Sequence, residues 1–189
     1  MEVVATTFVG LFIAALIPFA SAEKRLVVLG LALPFSAASV VNLPSFGDTS
    51  ITVPVFVGLA FVAHFLTRRN ALSQTISTAT LPEPGYLLLV FLGVAIATTL
   101  IMPRLFAGAI EIFSVARIEG TSGNLVLLQP TKANVTQMFY LVQGVLVYFV
   151  IAASLRAYAG ADSALNAIQA ATIVHLFLAA LDTIDNAMG

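Results

Sequence analysis

The residues best suited to chemistry lie in one polar interruption between apolar runs, Arg104 to Asn134, which reads RLFAGAIEIFSVARIEGTSGNLVLLQPTKAN. It carries Arg104, Arg117 and Lys132, three of the eight cations in the chain, together with Glu111 and Glu119. This composition fits an anionic, lipid-linked ligand, and beside Lys132 a phosphate oxygen would satisfy both the cation and the N–H groups of the helix start. Each cation has a plainer reading beside the functional one. Arg104 follows Pro103 at the end of an apolar run, where a cation complements the helix dipole. Arg117 can pair with Glu111 or Glu119, an exposed pair worth about 0–1 kcal/mol. Lys132 can snorkel to lipid headgroups. Alternatively it adds positive charge beside the N-terminus of the following helix, an unfavourable placement that an anion would offset. Asn134 is expected to cap that helix, with Gln137 at the capping-box position.

The elements that position these residues follow from composition. Of 189 residues, 60% are hydrophobic and 9% charged, and mean hydropathy is +1.04. A soluble domain carries roughly 25% charged residues, so the chain reads as a multi-pass membrane protein. The net charge of −1 says nothing about nucleic acid, and there is no basic cluster to bind it. The absence of cysteine removes disulfides, thiolate nucleophiles and Cys-based metal sites. Walker, GxSxG, HExxH and EF-hand patterns do not occur either.

Six apolar runs approach the roughly 20 residues needed to cross a bilayer: Val3–Ser21, Leu26–Val41, Ile51–Thr67, Tyr86–Met102, Val135–Ser154 and Ala164–Leu181. The expected fold is all-α, with six transmembrane helices in a single membrane domain. Ala20-Ser21-Ala22 resembles a signal-peptidase site, but no Lys or Arg precedes the first run, which favours a true span. Pro34 and Ser36 predict a kink in the second run. Asn70–Pro84 reads as a loop ending in a Pro-Glu-Pro-Gly turn. Lys24, Arg25, Arg68, Arg69 and Arg156 fall in alternate connections, placing that side in the cytoplasm and the 104–134 loop outside. Within the loop, Ile110–Ile118 and Leu125–Leu128 alternate around a Gly-containing stretch, which predicts an outward-facing β-hairpin, with an interfacial helix as the alternative.

Inside the sixth run, Gln169, Thr172, His175 and Asp182 recur on one helical face. Polar groups in hydrocarbon are costly and usually face other protein, so this stripe either lines a path or bonds to a neighbouring helix. His175 is its central member. The second histidine, His64, is placed near the membrane interface. Gly10/Ala14 and Gly93/Ala97 are spaced for close helix packing. The last run ends almost without a tail, which suggests one part of a longer protein.

The order of Leu33-Pro34-Phe35, Asn42-Leu43-Pro44-Ser45-Phe46-Gly47, Arg68-Arg69, Pro82-Glu83-Pro84-Gly85, Met102-Pro103-Arg104-Leu105-Phe106-Ala107-Gly108 and Gln129-Pro130 ahead of Asn134-Val135-Thr136-Gln137 resembles the N-terminal half of bacterial O-antigen ligase and O-antigen polymerase proteins. That resemblance implies a glycosyltransferase of the inner membrane, acting on undecaprenyl-pyrophosphate-linked glycan without a metal or other cofactor. It implies outward-facing basic residues at the pyrophosphate, a role open to Arg104, Arg117 and Lys132. It also implies about twelve spans and a later loop bearing functional histidine and arginine. Neither is present, so no catalytic residue carries over, and the missing C-terminal half or another membrane subunit becomes an expected partner besides the lipids. Two other classes fit the same composition: a transporter or flippase subunit with the His175 stripe along its path, and a membrane scaffold.

Overall fold

The first two apolar runs do not form helices long enough to cross a bilayer. In the computed structural model, which describes residues 2–4, 6–43, 49–80, 84–113 and 125–188, strand β1 (Glu2–Val3) precedes helix α1 (Thr7–Phe19), and α2 (Ala22–Ala32) follows. Helices of 13 and 11 residues extend about 20 Å or less at 1.5 Å per residue, against about 30 Å of hydrocarbon. Pro34 does more than kink the second run. It lies in a 3₁₀ turn, Leu33–Phe35, that ends α2, and the chain then extends into β2 (Ser39–Leu43). Proline lacks the N–H that continues a helix, and the Ser-Val-Val sequence beyond it suits an extended backbone. The third run divides in the same way, its first two residues completing β3 (Thr49–Thr52) and the rest forming the 14-residue α3 (Val53–Leu66).

The ends of three expected spans therefore meet as an antiparallel sheet ordered β1-β2-β3. Val3 pairs with Val41, and Val41 with Ile51, and the register shifts between Ser39 and Val41. Sheet and helices interlock through side chains that bond to backbone groups. The Thr6 and Thr7 hydroxyls donate to the carbonyls of Ser39 and Val40, and the Val4 N–H donates to Thr7 Oγ1. Gly10 serves this contact: a Cβ there would lie 2.5 Å from Val40 Cγ2. The small residue admits a strand, where the sequence pattern had suggested a second helix.

The first part of the Asn70–Pro84 stretch also departs from expectation, while Pro82 and Glu83 of its Pro-Glu-Pro-Gly turn lie outside the described residues. Asn70 takes the left-handed conformation (φ 65°), which asparagine tolerates better than most residues, and α4 (Ala71–Ala79) begins after it. Its hydroxyls bond back to their own helix, Thr75 to the Ala71 carbonyl at 2.9 Å and Thr78 to the Thr75 carbonyl at 2.7 Å. Polar side chains that usually compete with a helix are thus absorbed by it.

Three long helices complete the fold: α5 (Gly85–Leu105), α6 (Lys132–Ser154) and α7 (Gly160–Met188). A π-helical segment, Leu155–Ala159, separates α6 from α7, and Gly160 (φ 67°) turns the chain between them. Three stretches, Gly85–Leu105, Asn134–Tyr158 and Gly160–Asn186, are long and apolar enough to cross a membrane, so among the described residues three such helices replace the six expected. The core lies among α1, α2, α3, β2 and the second half of α6, centred on Ile17, Val40, Val57, Phe61 and Val150. Most of α5 and all of the apolar window of α7 remain outside it.

The packing sorts the connections to two ends. The Tyr140 hydroxyl donates to the Ser50 carbonyl, placing the first half of α6 at the sheet. Arg68 and Phe65 meet Tyr158 at the other end. Lys24, Arg25, Arg68, Arg69 and Arg156 therefore share the end away from the sheet, as their alternation in sequence predicts. Tyr140→Phe is expected to lower stability by about 0.5–1.5 kcal/mol, the net value of one hydrogen bond. Thermal unfolding checks this, and an unchanged midpoint would show that the bond does not tie sheet to helix.

Candidate functional site

Helix α5 starts at the basic end, where Gly85 lies against the Thr78 carbonyl and Phe149, and runs antiparallel to α6 toward the sheet end. The connection between them leaves from that end. Its predicted hairpin is present: β4 (Glu111–Phe113) pairs antiparallel with β5 (Leu125–Leu127), Ile112 opposite Val126. Two further backbone bonds extend the ladder, Leu128 N to Ile110 O at 2.7 Å and Gly108 N to Leu128 O at 2.9 Å. Gly108 enters the ladder at φ 74°, a conformation that glycine takes without strain. Both strands expose their apolar side chains, including Phe113 and Leu125. An exposed apolar ribbon of this kind suits a lipid surface better than bulk water.

Of the three cations singled out from sequence, Arg104 is the one whose side-chain geometry is described. It lies in the last turn of α5, where Nη1 donates to the Leu100 carbonyl at 2.6 Å. The guanidinium is exposed and bonds back to its own helix in the last turn, where a cation complements the dipole. Arg117 and Glu119 lie outside the described residues, as does the turn around them.

Lys132 is the first residue of α6, and its side-chain placement is outside what is described. The helix thus starts two residues before the expected cap. Thr131, extended at φ −119° and ψ 158°, occupies the N-cap position. Asn134 stands three residues on, its Oδ1 accepting from the Thr131 hydroxyl at 3.1 Å. Pro130 explains the shift, because the chain before and after it is extended and the helix can begin immediately beyond Thr131. Arg104 and Lys132 consequently mark the two feet of the hairpin, at the same end of two packed antiparallel helices.

The stripe Gln169, Thr172, His175 and Asp182 is exposed along its whole length. Thr172 satisfies its hydroxyl on the Ile168 carbonyl at 2.9 Å, and the Asp182 carbonyl accepts from Asn186 Nδ2 at 2.9 Å. Helix α7 packs on α2 through a different face, with Ala167 against Gly30. Within the described residues the stripe lines no enclosed path. His64 is half-buried in the last turn of α3, and a Cβ added to Gly93 would meet no atom within 4 Å. Among the described residues no three His, Asp or Glu side chains gather as a metal site would require.

Two features had no signal in the sequence. One is an apolar cavity of about 360 Å³ where α2, α3, α6 and α7 meet. Leu29, Gly30, Pro54, Gly144 and Ala167 contribute to its wall, and Gln143 supplies an amide. The other is a cluster at the basic end that joins Arg68, Gln74 and Tyr158. Both assemble residues far apart in the chain, which periodicity within one helix does not register.

No family model matches the chain, and no curated protein or solved structure does so.

Proposed function

We propose that the chain is the membrane part of a bacterial surface-polysaccharide glycosyltransferase of the O-antigen ligase or polymerase kind, acting on undecaprenyl-pyrophosphate-linked glycan from the inner membrane. The supporting observation is the placement of Arg104 and Lys132 at the two feet of one exposed hairpin. There, cations and the free N–H groups of a helix start converge on one end of the molecule. In this reading the sheet end faces outward and the basic end inward, as the distribution of Lys and Arg favours. Arg104, Arg117 and Lys132 hold the pyrophosphate, and the apolar wall between the helices accommodates hydrocarbon. The groups that transfer the sugar come from a further membrane segment or subunit.

Alanine at Arg104, Arg117 and Lys132 tests the reading in cells that make the complete protein. A charge-assisted hydrogen bond is worth about 1.5–3 kcal/mol, so each loss should cut surface polymer about tenfold or more. Normal polymer length and amount at normal protein level would reject the pyrophosphate role.

A further inference from the structure

Helix α7 carries a polar group at membrane depth to which the fold gives no partner. None of its apolar window is buried, and its principal contact is with α2, where Ala167 lies against Gly30. Ala164, Ala167, Ala171, Val174 and Leu178 are half-buried along that side. Nearly opposite them, about 160° around at 3.6 residues per turn, a second line runs down the helix. Leu165, Gln169, Thr172, Leu176, Ala179 and Thr183 follow one another at alternating steps of four and three, and all are exposed. That alternation is the seam of a coiled coil. His175 and Asp182 lie to one side of it.

The hydroxyls on this seam are satisfied within α7, Thr172 on the Ile168 carbonyl at 2.9 Å and Thr183 on the Ala179 carbonyl at 2.8 Å. Gln169 differs: among the described residues its amide has no hydrogen-bond partner. It lies about 14 Å along the helix from Gly160, well inside about 30 Å of hydrocarbon. An unpaired amide at that depth is costly and normally faces other protein.

The seam is chemically complementary to itself. Lipid tails offer neither donor nor acceptor, whereas a glutamine amide offers both and can pair reciprocally with an identical amide. Two copies inserted in the membrane in the same sense are related by a two-fold axis along its normal. Their α7 helices then run parallel, and each seam residue meets its own counterpart at its own depth. Leu165 and Leu176 supply apolar contact on either side of Gln169, and Ala179 is the small residue that lets two backbones approach. Asp182, about 100° from the seam line, keeps the two carboxylates out of the contact.

We propose that the exposed face of α7 is the interface of a parallel homodimer, joined across the two-fold axis by the Gln169 amides. This interface is separate from the hairpin and does not depend on the pyrophosphate reading.

The chain contains no cysteine, so single-cysteine variants of the purified chain in phosphatidylcholine vesicles test the pairing directly. Oxidation of Ala179→Cys is expected to give a disulfide-linked dimer, because counterparts on a seam come within bridging distance. Leu181→Cys is exposed at nearly the same depth on the other side of the helix and should stay monomeric. Energy transfer between fluorescent copies, followed as lipid dilutes them, measures the association itself. Gln169→Leu should weaken it about three- to thirtyfold, the range for one interhelical hydrogen bond, and Gln169→Asn should retain part of the strength. Gln169 is exposed in the single chain, so leucine there leaves the fold intact. Equal cross-linking at the two cysteine positions, or association unchanged by Gln169→Leu, would overturn the two-fold pairing. A monomer at every dilution would leave this face to a different membrane helix and reject the second copy.

Discussion

Leucine in place of Gly30 should lower the thermal midpoint of the purified chain by about 6–12 °C. Helices α2 and α7 cross so closely that a Cβ on Gly30 would lie 2.3 Å from the Ala167 carbonyl oxygen and 3.2 Å from its Cα. Both obstacles are backbone, so no rotamer change relieves them. The helices must separate, at a cost on the order of 3 kcal/mol, the upper part of the usual overpacking range. In a chain of this size each kcal/mol moves the midpoint by about 2–4 °C. Helix α7 has its principal contact with α2, so separation should also expose the junction after the π-helical segment. Trypsin cleavage after Arg156 reports that opening. Gly93→Ala is the control, because its Cβ meets nothing within 4 Å, and the better helix propensity should leave stability equal or higher by about 0.5–1 kcal/mol. An unchanged midpoint and cleavage rate in the Gly30 variant would show that the crossing is looser than described.

Phe61→Ala is expected to cost about 3–5 kcal/mol, the range for a phenylalanine removed from a packed core. Phe61 is 1% exposed and belongs with Val57 and Phe65 to the buried face of α3. Its ring fills space shared by the N-terminal helices and α6. The surrounding side chains are held by the sheet on one side and by α6 on the other, so collapse into the cavity is restricted. Phe61→Leu should lose distinctly less, since it retains most of the apolar volume. Chemical or thermal unfolding of both variants separates a cavity effect from a general intolerance of change. A loss below about 1 kcal/mol for the alanine variant would place the core elsewhere.

The hairpin between α5 and α6 was legible because its signal is local. Alternating β-branched and aromatic residues on both sides of a glycine-bearing stretch prefer one arrangement, and Ile112 now faces Val126. The sorting of five cations to one end was legible too, since it depends only on which connections carry charge. The first three apolar runs were misread. Hydropathy over a 20-residue window cannot separate a helix from a helix joined to a buried strand, and Val3, Val41 and Ile51 are apolar in either state. The loop expected over Ala71–Ala79 failed for a related reason. Ser and Thr signal a loop when their hydroxyls compete with the backbone, but here Thr75 and Thr78 bond within α4.

The same division separates the candidate sites. Arg104 and Lys132 could be named from sequence because each lies next to a helix end, although the one-turn geometry around Thr131 and Asn134 could not. The association of Arg68 with Tyr158, and of Gly30 with Ala167, joins residues whose spacing carries no information. By itself the sequence determined that the chain is strongly apolar, that its last three runs form long helices, and that its cations alternate between connections. These properties follow from local composition and the size of a bilayer. Only the tertiary structure decided that the earlier runs break into short helices and a sheet, that α7 leaves its polar stripe exposed, and that an arginine, a glutamine and a tyrosine meet at the basic end. Those outcomes depend on close approach between distant segments, where van der Waals contact and the pairing of buried polar groups select among backbones of equal hydropathy.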